Sequence, residues 1–288
     1  MDGVLFAKAD AKVSVYDRGF LYGDAVFEAL RTYSGEPFAL DEHVARLHRS
    51  ADSVLIPMPV TEGVLAGEVR AAVEAAGNPE SYVRVVLTRG SGPLGLDPAL
   101  ASAPLRVIIV EPLEAPPRAV YASGIALATV TTRRPHDGTA ASAAKISNYL
   151  ANLLAVRDAK ARGAAEALLV EPDGRVTEGA SSNVFFVRGH HLVTPSLDEG
   201  VLAGITRREV LAVAGALGLS TEERRVTLDE LQAADEVFIT SSIRELLPVV
   251  RIDGKDVGSG VPGPVARRLH RAFRERVGLG AQPMPWEP

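Results

Sequence analysis

Lysine is scarce in this chain: Lys8, Lys12, Lys145, Lys160 and Lys255 stand among 31 basic residues. Lys145 is set apart by its neighbours. It follows Ala140-Ala141-Ser142-Ala143-Ala144 and precedes Ile146-Ser147-Asn148-Tyr149. It reads either as an exposed lysine at a loop edge or as a partly buried amine able to bond covalently to a carbonyl carbon. Glu178 lies in Val176-Thr177-Glu178-Gly179, at a hairpin exit. A solvated carboxylate is the plain reading; buried, it needs a positive partner, and a protonated pyridine nitrogen would serve. Arg46, in the helical stretch Glu42-His43-Val44-Ala45-Arg46-Leu47, is either a surface residue or a fork for phosphate. Thr206-Arg207-Arg208-Glu209 and Ser242-Ile243-Arg244-Glu245 both have the form of a capping box. They predict two helix starts, whose free amides could also bind an anion.

Other chemistries lack their residues. The chain has no cysteine, which removes disulfides, thiolate metal sites and a thiol nucleophile. Its six histidines are scattered, and His43 and His48, five apart, miss the spacing of a helical metal pair; no metal is expected. No Gly-x-Ser-x-Gly elbow occurs, and strands and helices do not follow the strict βαβ rhythm of a doubly wound fold.

Positioning such groups takes a mixed scaffold. Alternation predicts short strands at Val13–Val15 and Ala25–Tyr33, then a turn at Ser34-Gly35-Glu36 and a return strand over Pro37–Leu40. Asp41 is a candidate cap for a helix carrying Val44, Leu47, Ala51, Val54 and Leu55. A second helix covers Thr61–Ala76, and Tyr82–Thr88 and Leu105–Val110 read as buried strands. Three prolines mark Glu111–Arg118 as a linker. Beyond it come a strand at Ile125–Thr131, an irregular stretch over Thr129–Ala144 and a helix at Tyr149–Ala161. Strands follow at Ala167–Val170, Val176-Thr177, Val184–Val187 and Leu192-Val193. A helix over Thr206–Leu217, strands at Val237–Thr240 and Val249–Ile252, and a terminal helix over Val261–Val277 complete the pattern. The class is α+β, with a small N-terminal domain over residues 1–112, a linker over 113–118 and a larger domain over 119–288.

With 288 residues, 47% of them apolar, the chain can bury a sizeable core. A net charge of −5 gives no basic face for nucleic acid, and no apolar run reaches the ~18 residues of a membrane span. No signal peptide is visible, so a cytoplasmic protein is expected.

The order of the motifs carries more than any one of them. Lys145-Ile146-Ser147-Asn148-Tyr149, Glu166-Ala167-Leu168-Leu169, Thr177-Glu178-Gly179, Ser182-Asn183-Val184-Phe185 and Thr194-Pro195 form a series. Leu202-Ala203-Gly204-Ile205-Thr206-Arg207, Asp235-Glu236-Val237-Phe238 and Glu245-Leu246-Leu247-Pro248-Val249 continue it. Asp17-Arg18-Gly19-Phe20-Leu21-Tyr22-Gly23-Asp24, Phe27-Glu28 and Arg31 precede it. The series resembles the class IV, or fold type IV, pyridoxal-phosphate aminotransferases over about residues 10–275. That resemblance implies a two-domain fold like that of D-amino acid aminotransferases, with pyridoxal 5'-phosphate (PLP) as cofactor. It implies that Lys145 holds the cofactor and shuttles a proton, and that Glu178 keeps the pyridine nitrogen protonated. Arg46, the Ile205 and Thr206 amides and Ser242, with Ser241 beside it, would bind the phosphate. Leu202 would pack on the ring and Tyr149 would lie near its hydroxyl. Tyr22, Phe27, Arg31, Tyr82, Arg84 and Arg89 would line the substrate site. A homodimer is implied too.

Within the family, Tyr82-Val83-Arg84 and Phe27-Glu28-Ala29-Leu30-Arg31 resemble the branched-chain enzymes, whose substrates are L-amino acids and 2-oxo acids such as 2-oxoglutarate. Asp17-Arg18-Gly19 and Thr88-Arg89-Gly90 are more typical of the D-amino acid enzymes and of the aminodeoxychorismate lyases, which release pyruvate.

Overall fold

The computed structural model describes residues 1–101, 103–131 and 144–287. They form two compact units, one of residues 1–114 with 144–149, the other of residues 115–131 with 150–287.

The first unit contains α1 (Arg18–Tyr22), β1 (Ala25–Tyr33), β2 (Glu36–Pro37), α2 (Leu40–Ser53), α3 (Glu62–Ala76), β3 (Ser81–Thr88) and β4 (Leu105–Pro112). Its sheet runs in the order β2-β1-β3-β4, with every neighbour antiparallel. Phe27 pairs with Val86, Ala29 with Arg84 and Arg31 with Tyr82. Because side chains alternate along a strand, these six residues share one face. Val26, Leu30, Val83, Val85 and Leu87 take the other and join Leu40, Val44, Leu47, Leu65 and Val69 of α2 and α3 in the core. The period of two thus separates a supporting face from one that can carry chemistry.

The second unit holds α4 (Arg118–Ser123), β5 (Ile125–Thr131), α5 (Leu150–Ala161), β6 (Glu166–Val170), β7 (Arg175–Gly179), β8 (Asn183–Arg188) and β9 (His191–Pro195). It continues with α6 (Ile205–Ala216), β10 (Ser220–Arg224), β11 (Val226–Thr227), α7 (Leu228–Gln232), β12 (Glu236–Ser241), β13 (Glu245–Ile252), β14 (Lys255–Asp256) and α8 (Pro264–Arg276). The strands form one mixed sheet, β10-β9-β8-β12-β13-β5-β6-β7-β11, with β14 on β13. Phe186, Leu168, Val237, Ile239 and Leu247 lie in its main core.

Several expectations fail for local reasons. Val13 and Val15 are exposed and outside any strand, since among the described residues no partner strand pairs with them. The return strand is only Glu36–Pro37: Ala39 takes a φ of +50° and α2 begins at Leu40. Ala39, not Asp41, is therefore the cap residue of α2. Neither expected capping box forms. Thr206 sits inside α6, whose N-cap is Gly204, and Glu209 turns to Arg208 and Arg276. Ser242 begins no helix; residues 242–244 are the turn between β12 and β13. α4 starts at Arg118, within the span read as linker.

The second domain is not the continuous stretch 119–288, because residues 144–149 pack with the first unit. Phe27 donates its amide to the Lys145 carbonyl at 3.0 Å, Ser147 donates to the Ala25 carbonyl at 2.8 Å, and Ile146 bridges Val26. The cause is an edge left open. β2 pairs only with Thr32 and Tyr33, so the start of β1 needs other partners for its polar groups. Residues 132–143, including most of the small-residue run before Lys145, lie outside the described residues.

Candidate active site

Ile146 packs on the core of the first unit, and its neighbour Lys145 lies on the Phe27 side of the strand edge. The Lys145 amide donates to the Ser50 hydroxyl of α2 at 3.1 Å. Its Nζ stands 4.5 Å from the centre of the Phe27 ring and 3.4 Å from the Tyr149 hydroxyl. Tyr149 meets Phe27 edge-on at 5.1 Å. Arg84 lies against the same ring, its guanidinium carbon 3.9 Å from the centroid. Among the described residues Arg84 has no hydrogen bond or ion pair, and the ring contact is what holds it. Lys145, Tyr149, Phe27 and Arg84 thus form one cluster, with Arg31 and Tyr82 further along the same face. Arg31 donates to the Thr32 carbonyl at 3.2 Å and its guanidinium stacks on Tyr33 at 4.3 Å.

Arg46 is not a surface residue. It is buried beneath the sheet and grips Glu28 with two bonds, Nε to Oε1 at 2.7 Å and Nη2 to Oε2 at 2.6 Å. His43 Nδ1 is 2.7 Å from the same carboxylate. Burial alone would raise the Glu28 carboxyl, but Arg46, with help from His43, outweighs it and holds it at about 2. Burial also lowers His43 below its ordinary 6.5, against the opposing pull of Glu28. A glutamate at a core-facing strand position was the signal for this pair, because an apolar slot admits a charge only with a partner.

The Arg89 guanidinium is taken up by groups of the protein itself. Its Nε and Nη2 donate to Asp24 at 2.7 and 3.0 Å, and Nη1 and Nη2 to the Leu55 and Val54 carbonyls at 2.6 and 2.8 Å. It ties β3 to the end of α2. Arg18 holds Asp24 from the other side at 3.0 Å, and Tyr22 accepts a bond from the Gly95 amide at 3.2 Å.

In the second unit Glu178 is buried at 6% exposure near the end of β7, which excludes the solvated reading. It accepts the Leu202 amide at 3.0 Å. Gly204 caps α6 with no side chain on the first-turn amides, so Ile205 and Thr206 begin a helix without a built-in cap. A Cβ at Gly204 would stand 2.0 Å from Asn183 Oδ1, whose amide nitrogen donates to the Leu202 carbonyl at 2.9 Å. Ser241 and Ser242 are half-buried, at the end of β12 and in the turn beyond it. The donor set fits PLP: an amine set on an aromatic ring, a buried carboxylate suited to a pyridinium, and uncapped helix amides with hydroxyls suited to phosphate. Among the described residues no cluster could hold a metal ion, and no helix is long and apolar enough to cross a membrane.

Comparison with known proteins agrees with this chemistry. Residues 25–252 match the family described as amino-transferase class IV. A Methanocaldococcus jannaschii protein provisionally named a branched-chain-amino-acid aminotransferase is 38% identical over 96% of this chain and 94% of its own. The D-alanine aminotransferase of Bacillus licheniformis is 34% identical over 96% and 95%. The crystal structure of the T.th. branched-chain amino acid aminotransferase with pyridoxamine 5'-phosphate superposes with a TM-score of 0.89. It is 32% identical and covers 98% of this chain and 93% of that one. The chain belongs to the class IV aminotransferases, PLP enzymes of fold type IV that transfer an amino group to a 2-oxo acid.

Proposed function

We propose that this enzyme transfers the amino group of an L-branched-chain amino acid to a 2-oxo acid such as 2-oxoglutarate, and that it acts as a homodimer in the cytoplasm. The observation that carries the substrate reading is the Phe27 face, where one aromatic ring supports both the Lys145 amine and the Arg84 guanidinium. An apolar side chain gains about 0.8 kcal/mol per methylene buried on such a surface, and Arg84 supplies charge for a substrate carboxylate. The branched-chain names of the M. jannaschii and T.th. proteins support the same reading.

PLP, when bound, supplies an electron sink for the carbon that carries the amine. Lys145 holds the cofactor and moves a proton at Nζ, with the Tyr149 hydroxyl beside it to steady the amine. Glu178, oriented by the Leu202 amide, would keep a proton on the pyridine nitrogen, and Leu202 would hold the ring. The Ile205 and Thr206 amides and the Ser241 and Ser242 hydroxyls take the phosphate. Arg46, its guanidinium plane fixed by Glu28, would contribute to phosphate binding. Tyr22, Arg31 and Tyr82 border the substrate.

The deciding assay pairs L-leucine with D-alanine, each with 2-oxoglutarate at equal concentration. Faster turnover of L-leucine is expected. Faster turnover of D-alanine moves the enzyme to the D-amino acid branch, a reading the B. licheniformis relative favours. Pyruvate release from aminodeoxychorismate with no acceptor identifies a lyase.

A further inference from the structure

The hairpin of β12 and β13 contains a residue that its backbone does not suit. Ser242-Ile243-Arg244 make the turn, and Glu245, paired with Ser241, takes a φ of +56°. In three-residue hairpin loops the left-handed residue that closes the turn is normally glycine, because a Cβ there meets the following carbonyl. Glu245 is held by its side chain instead. It is 2% exposed, with its carboxylate 2.6 Å from His270 Nε2 and 3.8 Å from Arg274 Nε, both on α8. Trp286 packs on the His270 ring at 5.3 Å and Tyr121 at 5.7 Å. The turn is braced elsewhere as well. The Tyr121 hydroxyl donates to the Arg244 carbonyl at 3.0 Å, and the Arg244 guanidinium donates to Glu166 and to the Ser181 hydroxyl.

Stability alone does not account for this arrangement. Glycine at 245 with an apolar residue at 270 would close the same hairpin with neither a strained backbone nor a buried carboxylate that needs partners. What the pair adds is one fixed shape for the turn, and strained backbone that its surroundings over-determine is characteristic of functional segments. We infer that Glu245 is a positioning residue: its buried pair with His270 and Arg274 fixes the turn whose Ser241 and Ser242 groups receive the cofactor phosphate. The inference rests on the reading of that turn as phosphate-binding.

The test compares PLP with pyridoxal, which lacks the phosphate. Both are titrated into the cofactor-stripped full-length enzyme, and the ratio of their dissociation constants measures what the phosphate contributes. Glu245→Ala and His270→Leu are expected to lower that ratio about tenfold or more, equivalent to about 1.4 kcal/mol, leaving pyridoxal affinity within about twofold. Glu245→Gln, which keeps an acceptor for His270, should recover most of the ratio. An unchanged ratio in Glu245→Ala and His270→Leu, with only a lower melting temperature, overturns the inference. If Glu245→Ala does not fold, His270→Leu and Glu245→Gln decide it on the same ratio. Ser242→Ala tests the underlying reading separately: a ratio indifferent to Ser242→Ala removes the phosphate from this turn, whereas one sensitive to Ser242→Ala but not to Glu245 or His270 refutes the positioning role alone.

Discussion

Two regions of the first unit use cations in opposite ways. Around Asp24, Arg18 and Arg89 close on a carboxylate. Burial would raise the Asp24 carboxyl, but the hydrogen bonds from Arg89 and Arg18 outweigh it and hold it below its ordinary value. Around Phe27, Lys145 and Arg84 rest on an aromatic ring. Charge-assisted hydrogen bonds each contribute about 1.5–3 kcal/mol and Arg89 makes several, whereas a single cation–ring contact gains about 0.5–2 kcal/mol. An incoming carboxylate can therefore recruit Arg84 at little cost but cannot draw Arg89 from Asp24. Three arginines read alike as substrate groups, and the supply of nearby carboxylate separates Arg84 from Arg89.

The largest effect expected is at Lys145. Lys145→Ala should abolish transamination and the visible absorption band of the holoenzyme; a variant that keeps full turnover would remove the Phe27 cluster from catalysis. Arg84→Met comes next. It should raise KM for 2-oxoglutarate about 10- to 100-fold, the range for one lost charge-assisted contact, and leave KM for a monocarboxylic branched-chain 2-oxo acid nearly unchanged. Equal effects on both acids would show that Arg84 does not read the second carboxylate.

Arg89→Met should act on stability. The loss is on the order of 2 kcal/mol, below the about 3–5 kcal/mol of a fully buried broken pair, because Asp24 keeps Arg18 and is partly open to water. It is read as a drop in melting temperature of several degrees, with KM values close to the parent's. A selective rise in the 2-oxoglutarate KM instead would place Arg89 beside Arg84 as a substrate group.

The smallest effect is a pH dependence of stability beneath the same sheet. The folded pKa of His43 lies below its unfolded 6.5, so the unfolded chain binds more protons as pH falls. The stability His43 contributes is present above pH 6.5 and is lost as pH drops through its folded value. Glu28, at about 2 folded against 4.5 unfolded, adds a second loss between those values. Chemical denaturation across pH should show both losses in the parent, and His43→Gln should remove the one that begins near pH 6.5. If the upper loss persists in His43→Gln, another group causes it.

Much of the scaffold was legible because local rules agreed with one another. The spans of β1, α3, β3 and β5 follow from alternation, from the Thr61 cap, which accepts the Val64 amide, and from Gly77, left-handed at the end of α3. The candidate site was legible as an ordered series of motifs. The two expected capping boxes show the limit. Thr206-x-x-Glu209 and Ser242-x-x-Glu245 have the right letters, but Glu209 is claimed by Arg208 and Arg276 and Glu245 by His270, partners distant in sequence except for Arg208. The one capping box that forms among the described residues, Thr227 with Glu230, opens α7 where those two side chains meet no stronger competitor than each other and Arg224.

What the sequence determined by itself is which groups are present and which strand faces they share, because the period of a strand is a local property. From that follow Lys145 in its motif, the carboxylate at Glu178, the Phe27–Ala29–Arg31 face and the family to which the chain belongs. Tertiary structure decided how each charge is used. It set Arg46 on Glu28, Arg89 on Asp24 and Arg84 on Phe27, and it returned residues 144–149 to the first unit. The reason is physical: an unpaired buried charge and an open strand edge both demand partners, and the partner that satisfies each comes from a distant part of the chain.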